Sequence, residues 1–381
     1  MSEIKVNSIK GVGASTAAIS IDNSSGTCTA NITNNLSNKN LFDNSAMQIS
    51  QRGDVSGLTA SNQVQAVDRM FCRLAGSAGT WTISKSTDAP EGFSNSLKWD
   101  CTAANASPHA TNDFGYIRQT IEGQNVQHLK KGTANALKTS LSFYVKSNKT
   151  GNFAVRLNDQ DNSRFIGGTY TINSANTWER KTFTFVGDTS GVLNNDNNGS
   201  IQVIWWMVVG SGRTSGSVPT SWTAITQTSE AAGQNVNMAD STSNEFYLTG
   251  IQLEVSDHVT DFQHESVGIT LAKCQRYYER LEYAGGAMSS GMSGFYNTTT
   301  EAFFFYHFRV IKRSAPTLEY SSLSHLDLEP FDDAVSNLSL QLSDTKHIVL
   351  ESDPVPSETK GFSCYLTIDQ ANGFIAFNSE F

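Results

Sequence analysis

No stretch of this 381-residue chain approaches the ~18 consecutive apolar residues that a membrane span requires, so membrane insertion is not expected. Its opening residues, Met1-Ser2-Glu3-Ile4-Lys5, lack the apolar centre of a secretion signal. Cysteine is scarce and scattered. Cys28, Cys72, Cys101, Cys274 and Cys364 make no CxxC pair and no Cys/His cluster at metal-ligand spacing. Such an odd set fits buried free thiols in a chain that folds in a reducing cytoplasm, with a Cys72–Cys101 bridge as the alternative. Positive charge is also in short supply. Acidic residues number 36 against 27 basic ones, for a net charge of −9, which argues against a broad phosphate-binding surface and so against nucleic acid as a partner. Catalytic signatures are missing: there is no GxSxG and no Gly-rich phosphate loop, and the seven His are dispersed. The acidic groups at Asp240, Asp257/Asp261 and Asp332/Asp333 read as solvated loop carboxylates. No catalytic residue and no metal ligand is assigned.

What the chain does have is Gly (29 residues) and many Ser, Thr and Asn, with only 38% hydrophobic and 17% charged residues. That is the composition of a β-rich, turn-rich protein with a polar surface, long enough for two or three domains. Residues 1–40 stand apart. Ile4/Val6, Ile19/Ile21 and Cys28/Ala30/Ile32 form three short alternating pieces separated by turns, and no aromatic residue occurs before Phe42. A segment this poor in apolar surface cannot hold itself together: it either docks on copies of itself or on another protein, as an anchor, or is a disordered tail. From residue 41 to 265, candidate strands lie at Thr80–Ser84, Asn95–Cys101, Tyr116–Ile121, Thr139–Val145, Gly151–Leu157, Lys181–Val186, Ile201–Val209 and Glu245–Val255. With turn-formers between them and no interleaved helical pattern, they predict a sandwich or jelly roll. Beyond Ser266, a candidate N-cap, the helical spacing of Leu271, Cys274, Tyr278 and Leu281 predicts one apolar stripe, which either lies on the end of its own sandwich or is a candidate subunit contact. Residues 285–294, rich in Gly and Ser, predict a flexible break. Residues 295–381 then read as a smaller β domain with strands at Ala302–Ile311 and Gly373–Phe377.

Several motifs resemble one family of proteins. Phe246 to Val255 carries "GxQLE" at Gly250, Gln252, Leu253 and Glu254, and is followed by Phe262-Gln263-His264 and by Cys274-Gln275-Arg276-Tyr277-Tyr278. Upstream, Asn40-Leu41, Asn44, Met47, Ile49, Gln51 and Arg52 spell "NLxxNxxMxIxQR". Asp68-Arg69, Pro90 to Leu97, Ile117-Arg118-Gln119, Ser142 to Gly151 and Thr177-Trp178-Glu179-Arg180 come after it. Together these resemble the sandwich module of bacteriophage tail-fibre and other receptor-facing virion proteins. The start of the chain and its end, Lys312 to Thr317 and Asn378-Ser379-Glu380-Phe381, are similar to phage fibre proteins as well. Arg52-Gly53-Asp54 falls inside the "QR" motif, and as an adhesion tripeptide it carries almost no specificity.

The resemblance implies an all-β protein with an N-terminal β anchor segment (1–40), a jelly-roll β-sandwich like those of carbohydrate-binding modules (41–265), a short connecting helix with its linker (266–294) and a smaller C-terminal β-sandwich domain (295–381). It implies a non-enzymatic tail-fibre subunit that adsorbs to host-surface polysaccharide. Such a subunit would be a homotrimer, attached through residues 1–40 to other virion tail or neck proteins, and located in the virion after assembly in the host cytoplasm. A head fibre, decoration protein or adaptor without sugar binding is the first alternative. A polysaccharide-degrading tailspike is the second, although no repeat of the kind that builds a β-helix is present. No cofactor is expected; a structural calcium would follow by analogy with sugar-binding modules, but no dense Asp/Asn loop supports it.

Sugar rings stack on exposed aromatics, which makes Trp178, Trp206 and Trp222 the candidate ligand-binding residues. In the strand Ile201–Val209, Trp205 shares the parity of Ile201, Val203 and Met207 and is assigned to the core. Trp206 shares its face with Gln202, Ile204 and Val208 and is the better candidate for an exposed ring, with a core position as the alternative for any of these tryptophans.

Overall fold

The computed structural model describes residues 6–9, 19–21, 24–25, 28–30, 39–59, 63–76, 78–105, 110–285, 291–330, 333–352 and 358–381. Among them are twenty-six strands and one α-helix, and the chain is all-β as expected. Strands β1 (Ser8–Ile9), β2 (Ile19–Ile21) and β3 (Cys28–Ala30) pair into a three-stranded antiparallel sheet within the expected anchor segment. Ile4 and Ile32 lie outside the described residues, as do Asp332 and residues 286–290 of the expected linker.

Thirteen strands build the sandwich: β4 (Val55–Leu58), β5 (Gln63–Val64), β6 (Phe71–Ala75), β7 (Thr80–Ser86), β8 (Ser96–Ala103), β9 (Phe114–Glu122), β10 (Thr139–Ser147), β11 (Gly151–Asp159), β12 (Arg164–Ile172), β13 (Glu179–Phe185), β14 (Gly199–Val209), β15 (Thr223–Ala224) and β16 (Glu245–Val255). One sheet has six strands in the order β13-β10-β16-β8-β7-β4, and the other seven in the order β15-β12-β11-β14-β9-β6-β5. All these pairings are antiparallel. Alternation sorts the side chains. Ile201, Val203, Trp205 and Met207 of β14 point inward against Phe143, Leu141 and Val145 of β10, and Trp81 and Trp99 meet edge to face at 5.5 Å. Trp205 is fully buried in this core, as its parity required.

Cys72 and Cys101 are free thiols in the same core, on opposite sheets, so the alternative bridge does not form. Burial raises the Cys72 thiol well above its ordinary value. Burial, aided by Asp100 and Asp240, pushes Cys101 up to about 11.

Helix α1 (Val267–Gln275) begins where expected, with the Ser266 hydroxyl accepting from the Ile269 amide at 3.4 Å. It ends earlier than the stripe predicted. Tyr278 and Leu281 lie instead in β17 (Tyr278–Glu282), paired with β26 (Phe374–Asn378). The run Tyr277-Tyr278-Glu279-Arg280-Leu281-Glu282-Tyr283 is aromatic enough to prefer an extended pairing once a partner strand is at hand. Leu271 is half-buried, while Cys274, Tyr278 and Leu281 are buried within the chain and present no surface to a second subunit. The exposed apolar residues of α1 are Val267 and Ile269.

The C-terminal domain adds β18 (Gly291–Tyr296), β19 (Ala302–His307), β20 (Thr317–Tyr320), β21 (Leu326–Glu329), β22 (Asp333–Ala334), β23 (Ser339–Ser343), β24 (His347–Ser352) and β25 (Ser363–Ile368). A seven-stranded sheet, β22-β21-β25-β18-β19-β24-β23, and a three-stranded sheet, β17-β26-β20, enclose a second core that includes Leu281, Tyr296, Phe304, Leu350 and Phe377. The chain is therefore already part of this second core at β17, ahead of the Gly/Ser-rich stretch.

Candidate functional site

The three candidate tryptophans are not brought together. Trp178 is half-buried beside the outer face of the six-stranded sheet; its indole N–H donates to Asp88 at 3.1 Å and its ring meets Tyr247 at 6.1 Å. Trp222 is half-buried at an edge of the core, where its N–H donates to the Val186 carbonyl at 2.8 Å and Lys131 lies 5.0 Å from its ring. Trp206 faces outward from the seven-stranded sheet, as parity predicted, but it is only 1% exposed. The expectation of an exposed ring is corrected by what lies over it. Arg213 and Ala231, from the segment that crosses this face after β14, pack against the indole.

The outer face around Trp206 is nevertheless the most chemically distinctive surface of the sandwich. Three rows run across this face in register: Trp206, Tyr116 and Arg73 on β14, β9 and β6, with Ala154 of β11 packed in the same cluster; Arg156, Ile204, Arg118 and Phe71; and Asn158, Gln202 and Thr120. Phe114 and Tyr116 stack in parallel at 5.5 Å, and both meet Trp206 edge-on, at 6.2 and 5.5 Å. Guanidinium groups are threaded between the rings. Arg156 lies 5.0 Å from Trp206, Arg213 4.6 Å from Phe114, and Arg118 5.5 Å from Phe71. The face thus has a floor of Trp206, Ile204 and Gln202 and a half-exposed margin of Arg73, Phe114 and Arg118.

Hydrogen bonding on this face is incomplete. Gln202 donates to Thr120 at 3.0 Å, and Glu230 receives Arg156 at 2.8 Å and Arg213 at its other oxygen. The indole N–H of Trp206, Nε of Arg156 and Arg118, and Oδ1 of Asn158 have no partner. Buried polar atoms are almost always paired, so these orphans make the interior of this face unusually polar, while the groups a ligand can reach are the half-exposed Arg73, Phe114 and Arg118. Sequence reasoning missed this because the face is assembled from alternate residues of four strands far apart in the chain. The one available signal was Arg118 in Ile117-Arg118-Gln119.

The motif residues do different work. Gly250 sits in a bulge of β16 at φ +60°, where a Cβ would fall 2.7 Å from Phe93. Gln252 accepts from the Gln263 amide at 2.7 Å, and Glu254 accepts from the Thr260 amide at 2.9 Å, clasping residues 256–264 to the sheet. The motifs around Arg52, Arg69, Arg276-Tyr277-Tyr278 and Glu380 meet between the two domains. Arg52 covers the Tyr278 ring at 3.5 Å and Arg69 the Tyr277 ring at 3.3 Å. Arg69 also pairs with Glu380 at 2.5 Å, while Glu122 takes Arg276 at 2.6 and 2.7 Å and the Tyr277 hydroxyl at 2.6 Å. Beside this junction a cleft of about 530 Å³ opens between Arg52, Gln63, Phe71, Glu319 and Phe381. Asp240 and Asp257 are paired with Lys149 and His258. Among the described residues no group of His, Cys, Asp or Glu is placed to hold a metal ion.

No family model matches the chain, and no curated protein matches it. Solved structures with a similar arrangement include the enzymatically active domain of bacteriophage CBA120 tailspike protein 4, at 12% identity and TM-score 0.29 over 53% of this chain. The match covers 22% of that tailspike chain. A carbohydrate-binding module termed CBM4 is 11% identical, with TM-score 0.29, over 56% of this chain and 99% of its own. The C-terminal family 22 carbohydrate-binding module of Clostridium thermocellum Xyn10B is 12% identical, with TM-score 0.29, over 53% of this chain and 97% of its own. At these identities and scores the likeness fixes neither a ligand nor an activity for this chain.

Proposed function

We propose that the chain is a non-enzymatic virion appendage subunit, a tail fibre, that adsorbs to host-surface glycans through the outer face of the seven-stranded sheet. The observation that carries this reading is the half-exposed Phe114 ring, backed by Tyr116 and flanked by the half-exposed guanidinium groups of Arg73 and Arg118. Aromatic planes take the apolar side of a sugar ring, and neighbouring polar atoms take its hydroxyls. The phage assignment rests on the sequence motifs. Cleavage of a polysaccharide needs two carboxylates flanking the bond, whereas this face has Glu230, engaged by two arginines.

The subunit acts as a homotrimer attached through residues 1–40. The expected helical stripe does not support the trimer, since its residues are buried within the chain. The outer face of the C-terminal seven-stranded sheet does, because Tyr365, Phe295 and Phe305 stand exposed across three adjacent strands, with Leu342 exposed two strands further on. This same aromatic surface favours the second reading, an adaptor or decoration protein that binds protein alone. Gold-labelled antibody against the chain separates the two on intact particles. Label at the distal tip of a fibre is the expected result, and label confined to the neck or capsid would contradict the tail-fibre reading.

A further inference from the structure

The outer face of the seven-stranded sheet is rich in positive charge, although the chain as a whole carries −9. Arg73, Arg118, Arg156 and Arg213 meet there around the aromatic rings, and Glu230 is held between two of them. Asp113, at the mouth of β9, accepts from the Ala110 amide at 3.1 Å. The unpaired atoms are lopsided as well. Nε of Arg118, Arg156 and Arg213 and the indole N–H of Trp206 are donors, against one acceptor, Asn158 Oδ1. Burial holds both Arg118 and Arg156 below the usual arginine range, and the nearby Arg73 and Arg213 press in the same direction.

Resting on the glycan reading above, we propose that this face takes an acidic glycan, a polysaccharide whose sugar rings carry carboxylates. Arg73 and Arg118 pair with the carboxylate while the half-exposed Phe114 stacks on the ring. A neutral sugar offers hydroxyls that both donate and accept, and it would leave the charge of the face unanswered. A carboxylate offers acceptors alone, in the planar geometry that a guanidinium fork matches. Arg73 and Arg118 are the half-exposed members of the set. One outer nitrogen of Arg118 already donates to Oε1 of Gln63, so an acceptor occupies that position in the unliganded chain.

The test is binding of the full chain to immobilised polygalacturonate, alginate and polysialic acid, each beside its methyl ester, with dextran sulfate as an anion lacking carboxylates. At least one acidic polymer should bind about tenfold or more tightly than its ester, since a charge-assisted hydrogen bond is worth roughly an order of magnitude in affinity. Arg73→Gln and Arg118→Gln should each lose about that factor, with melting temperatures unchanged. Were Arg118→Gln to melt early, Arg73→Gln would decide alone. Equal binding of acid and ester would overturn the acidic specificity and leave the glycan reading standing. Dextran sulfate binding as tightly as the carboxylated polymers, or both arginine variants binding like wild type, would also overturn it. No binding to any of these polymers would overturn the acidic specificity, and the glycan reading would then be decided by bacterial capsular and O-antigen polysaccharides.

Discussion

Gly250 and Glu179 show what individual motif residues are for. At φ +60°, with Phe93 and Tyr144 within 3 Å of where a Cβ would sit, position 250 accepts glycine alone. Gly250→Ala should cost about 1–3 kcal/mol from the left-handed backbone, before any clash is counted. Urea denaturation checks this, and an unchanged midpoint would refute it. Glu179 follows Trp178 and closes the preceding turn, accepting from the Asn173 and Ser174 amides at 2.8 and 2.9 Å and from Lys181 at 2.5 Å. Burial pushes its carboxyl up, but the hydrogen bonds from Lys181, Ser174 and Asn173 outweigh it and bring the pKa down to about 2. A depressed folded-state value means the stabilisation is fully present above the unfolded carboxylate range and is lost as pH falls through the folded value. The difference in melting temperature between wild type and Glu179→Gln should therefore be largest near neutral pH and close by about pH 2. A difference that is constant with pH would mean that the charge of Glu179 contributes nothing.

At the scale of elements, alternation revealed the long strands but not everything that flanks them. β14 and β16 follow the sequence reading closely because both are long and rich in β-branched and aromatic residues, with core positions at every second residue in β14 (Ile201, Val203, Trp205, Met207) and on each side of the Gly250 bulge in β16. β12 was missed because Gly167 and Gly168 interrupt its pattern, and β5 and β15, at two residues each, are too short to show one. Parity placed Trp206 on the correct face, but it cannot report what covers that face. The covering segment after β14 has the Gly, Ser and Thr composition of an ordinary surface loop. The stripe Leu271, Cys274, Tyr278 and Leu281 fits helical spacing by coincidence, since its second half pairs with β26 instead. The junction motifs make a prediction of their own. Glu122 is fully buried and Arg276 partly exposed, so Glu122→Gln should cost roughly 2–3 kcal/mol, less than the ~3–5 kcal/mol of a fully buried pair. It should also speed proteolysis between the two domains, and unchanged cleavage together with an unchanged unfolding midpoint would refute the role assigned to this pair.

At the scale of the whole molecule, two surfaces stand out. The aromatic face of the C-terminal sheet is the one through which copies of the chain are proposed to associate. Light scattering should give three chains' mass for wild type and a lower mass for Phe295→Asp or Phe305→Asp, whose exposed positions tolerate the change. A wild-type monomer at micromolar concentration would remove the trimer. Trimerisation would also multiply weak binding at each sandwich, as adsorption to a repetitive glycan surface requires. The central claim is that glycan binding belongs to the outer face of the seven-stranded sheet. It is tested most directly by measuring the affinity of the chain for a panel of immobilised bacterial capsular and O-antigen polysaccharides, with Phe114→Ala, Phe114→Leu and Trp178→Ala beside wild type. Loss of one stacking ring should weaken binding roughly tenfold or more in both Phe114 variants, by analogy with aromatic hot spots, and Trp178→Ala should bind as wild type does. Unchanged binding by both Phe114 variants, with loss of binding in Trp178→Ala, would contradict the account and move the site to the six-stranded sheet.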